Sequence, residues 1–472
     1  MAVIWLQALP LIVLVLLLAS GGAGPFIACG AALAASLPAI VAAVGVPALP
    51  IFVAMRTTEA AWLALPPVGI VLGGLLFHAA VRRPLGREQS RDAIGSAFVA
   101  AFLLGPFAES VTGFGVGMVF AIGALRQAGF AGAYAAGIGL ISQALIEWGG
   151  LGPGTALGAA LAGTSAQDIA AQNALQAAVW FVLLLPLFWR IAAHSGHPVP
   201  VARRPAQVAW VASVGVLLIV AAHLLPWEVS GLLATGIVLC VRLLSDDPPR
   251  NGKATRRIMV ITAPYLLLTT MLLATRLWHG APSLKPYSEF PPIGLDHPMV
   301  ALWVAALLVA VARGVSASEL KAALLHGRRP ALAILIYVIL ARWLFGAGVP
   351  HALASALERG FGGFAPFAAP FVGAASGFVA GTNVGSNSTA MTLQAELGKL
   401  YGLDPVLLPS VQNFVGASVI LLSPQINAVA GSLAGESRIS RIWRLMWPVA
   451  PIAIAIGLAS VAIGRVPLVG TR

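Results

Sequence analysis

The chain has 472 residues, 59% of them hydrophobic and 9% charged, with a mean hydropathy of +0.92 and a formal net charge of +12. This composition excludes a soluble globular protein and identifies a polytopic membrane protein. The positive charge is gathered in loops rather than on one face, so it reports membrane orientation and excludes nucleic acid as a partner.

In chain order, apolar windows fall at Ala2 to Ser20, Gly24 to Val44, Ala61 to Ala80, Ile94 to Ala108, Ala171 to Ile191 and Val208 to Leu224. They continue at Gly231 to Val241, Ile258 to Leu277, Met299 to Val311, Ala331 to Phe345, Val406 to Val429 and Val449 to Ile463. The longer ones reach the roughly 20 residues needed to cross a hydrocarbon core, and with two broken regions added they predict an all-α fold of about 11 to 13 spans. The first window lacks a basic flank and a second span follows it at once, so it reads as a retained helix. Cys29 and Cys240 lie in apolar windows and encode neither a disulfide framework nor a metal site.

Four basic loops mark the cytoplasmic side by the positive-inside rule. They hold Arg82, Arg83, Arg87 and Arg91; Arg190, Arg203 and Arg204; Arg242, Arg250, Lys253, Arg256 and Arg257; and Arg313, Lys321, Arg328 and Arg329. The Pro-rich, nearly neutral loop Gly280 to Pro298 falls outside. A multi-pass inner-membrane protein is expected, with the bilayer as solvent and a homodimer left open.

Laying the chain on itself pairs Phe107 with Phe378 and Pro153 with Pro424 at one offset. A polar glycine-rich break comes first, GFGVG at Gly113 to Gly117 against GTNVGSNS at Gly381 to Ser388. Phe130 answers Tyr401, Gln143 answers Gln412 and Asn413, and GLGPG at Gly150 to Gly154 answers LSPQ at Leu422 to Gln425. Each half closes on Leu-Ala-Gly, at Leu161 to Gly163 and Leu433 to Gly435. Irregular backbone at membrane depth is tolerated only where it is buried in protein or lines a watery cavity, and paired breaks in two halves point to a midplane site between inverted repeats. The expected organisation is one integral membrane domain over residues 1–472, with repeat cores at 81–200 and 331–472 and connecting spans at 201–330.

The run from Pro370 to Glu436, carrying GTNVGSNS and LLSPQINAVAGSLAGES, resembles the C-terminal signature of the lactate permease family of secondary transporters. FAESVTGFGVGM at Phe107 to Met118 is similar to that family's glutamate and Gly-Phe-Gly segment, and APYLLLTTMLLATRL at Ala263 to Leu277 also fits. The chain departs from the family pattern at Gly381-Thr382-Asn383 and in the apolar run Val419 to Leu422, and Glu147 and Arg342 match no family position. The resemblance implies a carrier of small 2-hydroxymonocarboxylates such as lactate and glycolate, coupled to protons and built on inverted repeats.

Among the residues themselves, Glu109 ends an apolar span four residues before Gly113. A carboxyl at that depth is disposed to gain and lose a proton as solvent access changes, or else braces the broken helix through backbone N–H groups. Glu147 shares a helix face with Gln143 at i, i+4 and is a second proton-coupling candidate, or packs against amides between helices. Arg342, eleven residues into its apolar helix, has three readings: contact with a substrate anion, an ion pair with Glu109 or Glu147, or snorkelling to an interface. The anion cradle is expected at Thr382, Asn383, Ser386, Asn387 and Ser388 with Ser423 and Gln425, faced by Gly113, Gly115 and an apolar wall at Phe114.

Arg126, Glu358, Arg359, Glu396 and Lys399 read as interfacial, the last two on a short helix, and the histidines lack ligand spacing. No cofactor is called for. A proton symporter of a monocarboxylate is the first expectation, and a sodium- or proton-coupled carrier of a dicarboxylate or sulfonate is the alternative. An intramembrane enzyme would need a nucleophile with a base, or a metal pair, and neither motif offers one. A passive channel is the remaining rival.

Overall fold

A computed structural model of the chain describes residues 2–20, 23–81, 92–113, 115–278 and 280–465. Arg82, Arg83, Arg87 and Arg91 of the first basic loop, and Phe114, lie outside the described residues. The helices are α1 (Ala2–Ala19), α2 (Pro25–Val44), α3 (Leu49–Val81), α4 (Ala93–Val99), α5 (Gly105–Thr112), α6 (Val116–Gln127) and α7 (Gly132–Ile141). Next come α8 (Pro153–Ala162), α9 (Ala166–His194), α10 (Arg204–Leu224), α11 (Trp227–Asp246), α12 (Gly252–Leu277), α13 (Pro298–Arg313) and α14 (Ala317–Gly346). The last are α15 (Val349–Phe361), α16 (Ala369–Ala380), α17 (Asn383–Leu400), α18 (Leu407–Val419), α19 (Pro424–Ala434), α20 (Ile439–Met446) and α21 (Val449–Gly464).

Among the described residues nine helices are long and apolar enough to cross a membrane, or eleven if each of two bent pairs is one span. That meets the lower edge of the expected range, because several apolar windows are short arms of hairpins or broken helices. The only strands among the described residues, Ser283–Leu284 and Ile293–Gly294, pair antiparallel within the loop between α12 and α13.

Local chemistry sets the ends of these elements. Ser165 caps α9 by accepting from Asp168 N, Ser316 and Glu319 form a capping box on α14, and Thr382 caps α17 by accepting from Gly385 N. Pro153 and Pro424, paired in the sequence, open α8 and α19 at the same place in each half. Gly163 and Gly435 end those helices in the left-handed region, at φ 69° and 75°.

The element order therefore recurs. A helical hairpin (α4–α5 turning into α6) is followed by a broken span (α7, α8); a second hairpin (α16, α17) is followed by a second broken span (α18, α19). The hairpins open to opposite sides. Asp92 pairs with Arg203 at 2.9 Å and Phe130 stacks on His197 with ring centroids 4.5 Å apart, which fixes both ends of the first hairpin beside the α9–α10 loop. In the N-terminal half of α9, about 30 Å away at about 1.5 Å per residue, Asn173 donates to Ser410 O (2.8 Å) and Gln176 to Ser460 Oγ (2.8 Å). There Tyr401 Oη donates to Gly362 O, closing the mouth of the second hairpin. The repeats are inverted, as the paired breaks suggested.

Small residues let these arms touch. A Cβ on Gly117 would lie 2.2 Å from Gly105 O across the first hairpin, and one on Gly377 would lie 2.0 Å from Gly416 O where α16 crosses α18. Outside the repeats, α3 packs along both α13 and α14, and α1 along α2.

Candidate functional site

Each hairpin tip rests on the second break of its own half. Gly113 (φ 68°) and Gly115 (φ 78°) turn the first tip in a conformation that favours glycine. A Cβ on Gly113 would meet Gly150 backbone at 3.1 Å, so the tip lies directly on the break between α7 and α8. In the second half a Cβ on Gly381 (φ 66°) would meet Gln425 Oε1 at 2.7 Å and Ser423 Oγ at 2.8 Å. Gly381, Ser423 and Gln425 thus converge at the tip, beside the exposed Thr382.

Glu109, only 2% exposed, reaches across the first tip. Its carboxylate accepts from Gly115 N (3.1 Å), Gly117 N (3.0 Å) and Gln143 Nε2 (3.2 Å). Three donors on one carboxylate, two of them at the N-terminus of α6, suit a fixed anion that braces the turn.

Glu147 is the opposite case. It is 1% exposed, and neither of its carboxyl oxygens has a hydrogen-bond partner among the described residues. Gln143 and Glu147 do not share a helix face as the sequence spacing suggested. α7 ends at Ile141, and residues Ile146–Leu151 form a 3₁₀ turn in which Gly149 and Gly150 leave helical geometry. The break therefore sends Gln143 to Glu109 and leaves Glu147 without an amide partner.

Five of the seven cradle candidates fall into three groups, while Thr382 caps α17 beside the tip and Ser388 stands apart. At the centre is Asn413, whose Oδ1 accepts from Asn383 Nδ2 (3.1 Å) and Asn387 Nδ2 (2.7 Å). Its Nδ2 donates to Thr155 Oγ1 (3.1 Å) and Asn173 Oδ1 (2.6 Å). Asn387 also donates to Gly154 O (3.0 Å), and Thr155 Oγ1 to Glu147 O (2.8 Å). This buried hub is one contact between the halves, joining the break before α8 to the start of α17. Ser386 belongs to a second group with Ser376 Oγ (2.8 Å) and Gln412 Nε2 (3.1 Å). The tip group of Gly381, Ser423 and Gln425 is the third.

Ser388 Oγ and Ser423 Oγ are buried without partners among the described residues, as are Asn383 Oδ1 and Asn387 Oδ1. Ser388 borders a space of only about 10 Å³ against Ala341 and Leu344. The N-cap Ser423 makes no side-chain hydrogen bond to the first turn of α19, whose N–H groups have no intrahelical partner.

Asn173 and Thr155 were not among the sequence candidates. Their signal was available, an amide within the apolar helix α9 and a hydroxyl two residues after Pro153, but hydrogen bonding to residues 240 and 258 positions away leaves no local spacing.

Arg342 is 4% exposed and is an internal ion pair, with a partner other than either acid expected. Its Nε donates to Glu59 Oε2 (3.1 Å), and Arg56 Nη1 reaches both oxygens of the same carboxylate (3.0 and 2.8 Å). Glu289 approaches at 3.7 Å, and the guanidinium lies over the rings of Phe290 (4.8 Å) and Phe345 (5.0 Å). Neither Glu109 nor Glu147 takes part, because each sits in the broken first repeat while Arg342 faces α3. Glu59 escaped notice because the apolar window began at Ala61, although α3 continues through Arg56 and Glu59 to Leu49.

Lys399 pairs with Glu396 at 2.8 Å, on the 18-residue α17 rather than a short helix. Among the described residues no three of His, Cys, Asp and Glu are grouped to hold a metal.

Residues 294–457 match the family model described as L-lactate permease. The match includes Arg342 and the whole second half of the site, and leaves out Glu109 and Glu147. An L-lactate permease of Halalkalibacterium halodurans is 30% identical over 122 residues, 26% of this chain and 23% of that protein, so the chain aligns with about a quarter of its curated relative. Among solved structures, the Alcanivorax borkumensis YdaH transporter has a TM-score of 0.46 at 14% identity, covering 89% of this chain and 88% of that one. Neisseria gonorrhoeae MtrF, described as illuminating a class of antimetabolite efflux pumps, has a TM-score of 0.44 at 12% identity, covering 90% and 85%. Residues 294–457 are thus similar to the L-lactate permease family, and this similarity covers about a third of the chain.

Proposed function

We propose that this protein is a secondary transporter of the inner membrane that imports a small organic monocarboxylate, lactate or glycolate, together with protons. The observation that carries the proposal is the buried junction of the two inverted halves, where broken helices meet through Asn383, Asn387 and Asn413. Costly polar groups at membrane depth serve transport more readily than packing. The substrate carboxylate binds at the tip group, on the free first turn of α19 with Ser423 and Gln425. Its methyl or methylene lies towards the apolar side of the hairpin.

The two acids divide the work. Glu109 is held by three donors and keeps the first tip turned. Glu147 carries the proton, since a buried carboxyl without a donor is arranged for the protonated form and offers no stable place for a lone anion. Its backbone carbonyl is joined to the hub through Thr155, so a change at Glu147 reaches the second half by one side chain. The similarity of residues 294–457 to L-lactate permeases supports a carrier over an enzyme or a channel. Residues 81–200 and 331–472 form the two repeat cores, bridged by 201–330.

A second reading has its own observation. Asn383 Oδ1, Asn387 Oδ1, Ser388 Oγ and Ser423 Oγ all lack donors, and a set of free oxygens also suits a sodium ion. Sodium coupling with a dicarboxylate or sulfonate is the carrier that would use it.

Radiolabelled L-lactate uptake into proteoliposomes under an inward proton gradient, with and without sodium, tests both readings. Saturable uptake that follows the proton gradient and ignores sodium supports the first. Uptake that follows sodium alone replaces it with the second, and absence of lactate and glycolate uptake by folded protein refutes the monocarboxylate assignment.

A further inference from the structure

On the side of the membrane that holds the α9–α10 loop, a cleft of about 560 Å³ opens between the two halves. Phe130 and Tyr134 line it from the first half, Ser195 from the end of α9, and Glu436, Arg441 and Arg444 from α20 and the turn before it. This is the side that the basic loops assign to the cytoplasm, where membranes present anionic headgroups.

The charge balance in the cleft favours an anion. Glu436 is its one acid and is already engaged, accepting from Arg438 N (2.9 Å) and Arg441 Nη1 (3.5 Å). The exposed side chain of Arg444 has no hydrogen-bond, ion-pair or ring partner among the described residues. α20 itself is built for an interface. Ile442 and Met446 are buried beneath it, Arg441 and Arg444 are exposed, and Trp443 and Trp447 remain 36% and 60% exposed. Arginines beside exposed indoles on a short amphipathic helix match the headgroup level of a bilayer. Trp443 Nε1 donates to Leu422 O (2.9 Å), so α20 is one hydrogen bond from Ser423 and the second break.

We propose that this cleft binds the phosphate of an anionic membrane phospholipid, gripped by Arg444 and Arg441, with the acyl chains lying against the indoles of α20. The phosphate takes paired guanidinium hydrogen bonds, which a zwitterionic headgroup with its own ammonium competes for poorly. The assignment is independent of the transported substrate.

The test is thermal unfolding of the full chain in detergent, titrated with phosphatidylglycerol, with phosphatidylcholine and with inorganic phosphate. Phosphatidylglycerol alone is expected to raise the unfolding midpoint. Arg444→Gln, which removes no internal contact, should require about fivefold more lipid for the same shift, the effect of about one cationic side chain at an anionic surface. Arg444→Lys should recover most of that loss, and Arg329→Gln, an exposed arginine on α14, should behave as wild type. An equal shift with inorganic phosphate would assign the cleft to a soluble anion and overturn the lipid. Equal shifts with phosphatidylcholine, no shift, or an unchanged lipid requirement in Arg444→Gln would each overturn the site.

Discussion

Replacing Glu147 by Gln separates the roles of the two buried acids. The amide has the shape of a protonated carboxyl, and because neither oxygen of Glu147 has a hydrogen-bond partner among the described residues, the change breaks no hydrogen bond there. Stability should shift by less than about 1 kcal/mol, within the range of substitutions that remove no partner. Transport is affected differently. One pH unit stores about 1.4 kcal/mol per proton, so electroneutral symport of one proton with a monoanion accumulates substrate about tenfold per unit of gradient. In Glu147→Gln that accumulation should fall to about onefold, while exchange of internal for external substrate persists because neither half of the anion site is altered. The assay is paired: counterflow and gradient-driven uptake in the same proteoliposomes, with thermal unfolding in detergent. Glu109→Gln should show the converse. It strips charge from an acceptor of three donors, each charge-assisted bond contributing about 1.5–3 kcal/mol, and should reduce the folded yield. Full gradient-driven accumulation by Glu147→Gln, or a stable Glu109→Gln that exchanges but does not accumulate, would refute the assignment and give the proton to Glu109.

Arg342→Met should destabilise by about 3–5 kcal/mol, because Glu59 loses one of its two cationic partners inside the protein; pairing it with Glu59→Gln should restore much of the loss, read by thermal unfolding. Asn413→Ala removes the partner of Asn383, Asn387, Asn173 and Thr155 together. With about 1–3 kcal/mol for each buried group left unpaired, it should fail to yield folded protein, whereas Ser376→Ala in the neighbouring group should fold and be purified normally. Arg438 N, and then the Arg441 guanidinium, hold the Glu436 carboxyl below the usual carboxylate range. Its folded form therefore favours the anion, and the associated stabilisation is complete above about pH 4–5 and disappears as the pH falls through the lowered value. Glu436→Gln should leave the pH profile of uptake between about pH 5 and 8 unchanged; a shifted profile would move the proton-linked group to this cleft.

The architecture was legible because it is written in local chemistry. Pro153 and Pro424 open matching helices, Gly163 and Gly435 close them, and the polar glycine runs fall where the helices break. Span number was less certain because 10–17-residue apolar helices such as α6, α7 and α13 look alike in composition, whether they cross, return or stop halfway. The charged residues were the hardest part. Arg342 was conspicuous, yet its partner Glu59 is 283 positions away, and no periodicity connects α3 to α14.

The same limit explains why the sequence put Glu109 first and Glu147 second as proton-coupling candidates and could not tell their roles apart. Both are glutamates in apolar surroundings next to glycine-rich segments, and both bury completely. What distinguishes them is the direction of backbone N–H groups, which depends on the positive φ of Gly113 and Gly115 at one tip and on Gly149 and Gly150 leaving the helix at the other. The first turn aims two N–H donors at Glu109, and the loss of helix after Ile141 carries the side-chain amide of Gln143 to the same carboxylate. Glu147 is left without a hydrogen-bond partner for either oxygen among the described residues. In the proposed carrier, Glu109 keeps the hairpin's shape and Glu147 is the acid whose charge changes. The two breaks thus give one residue type two different surroundings.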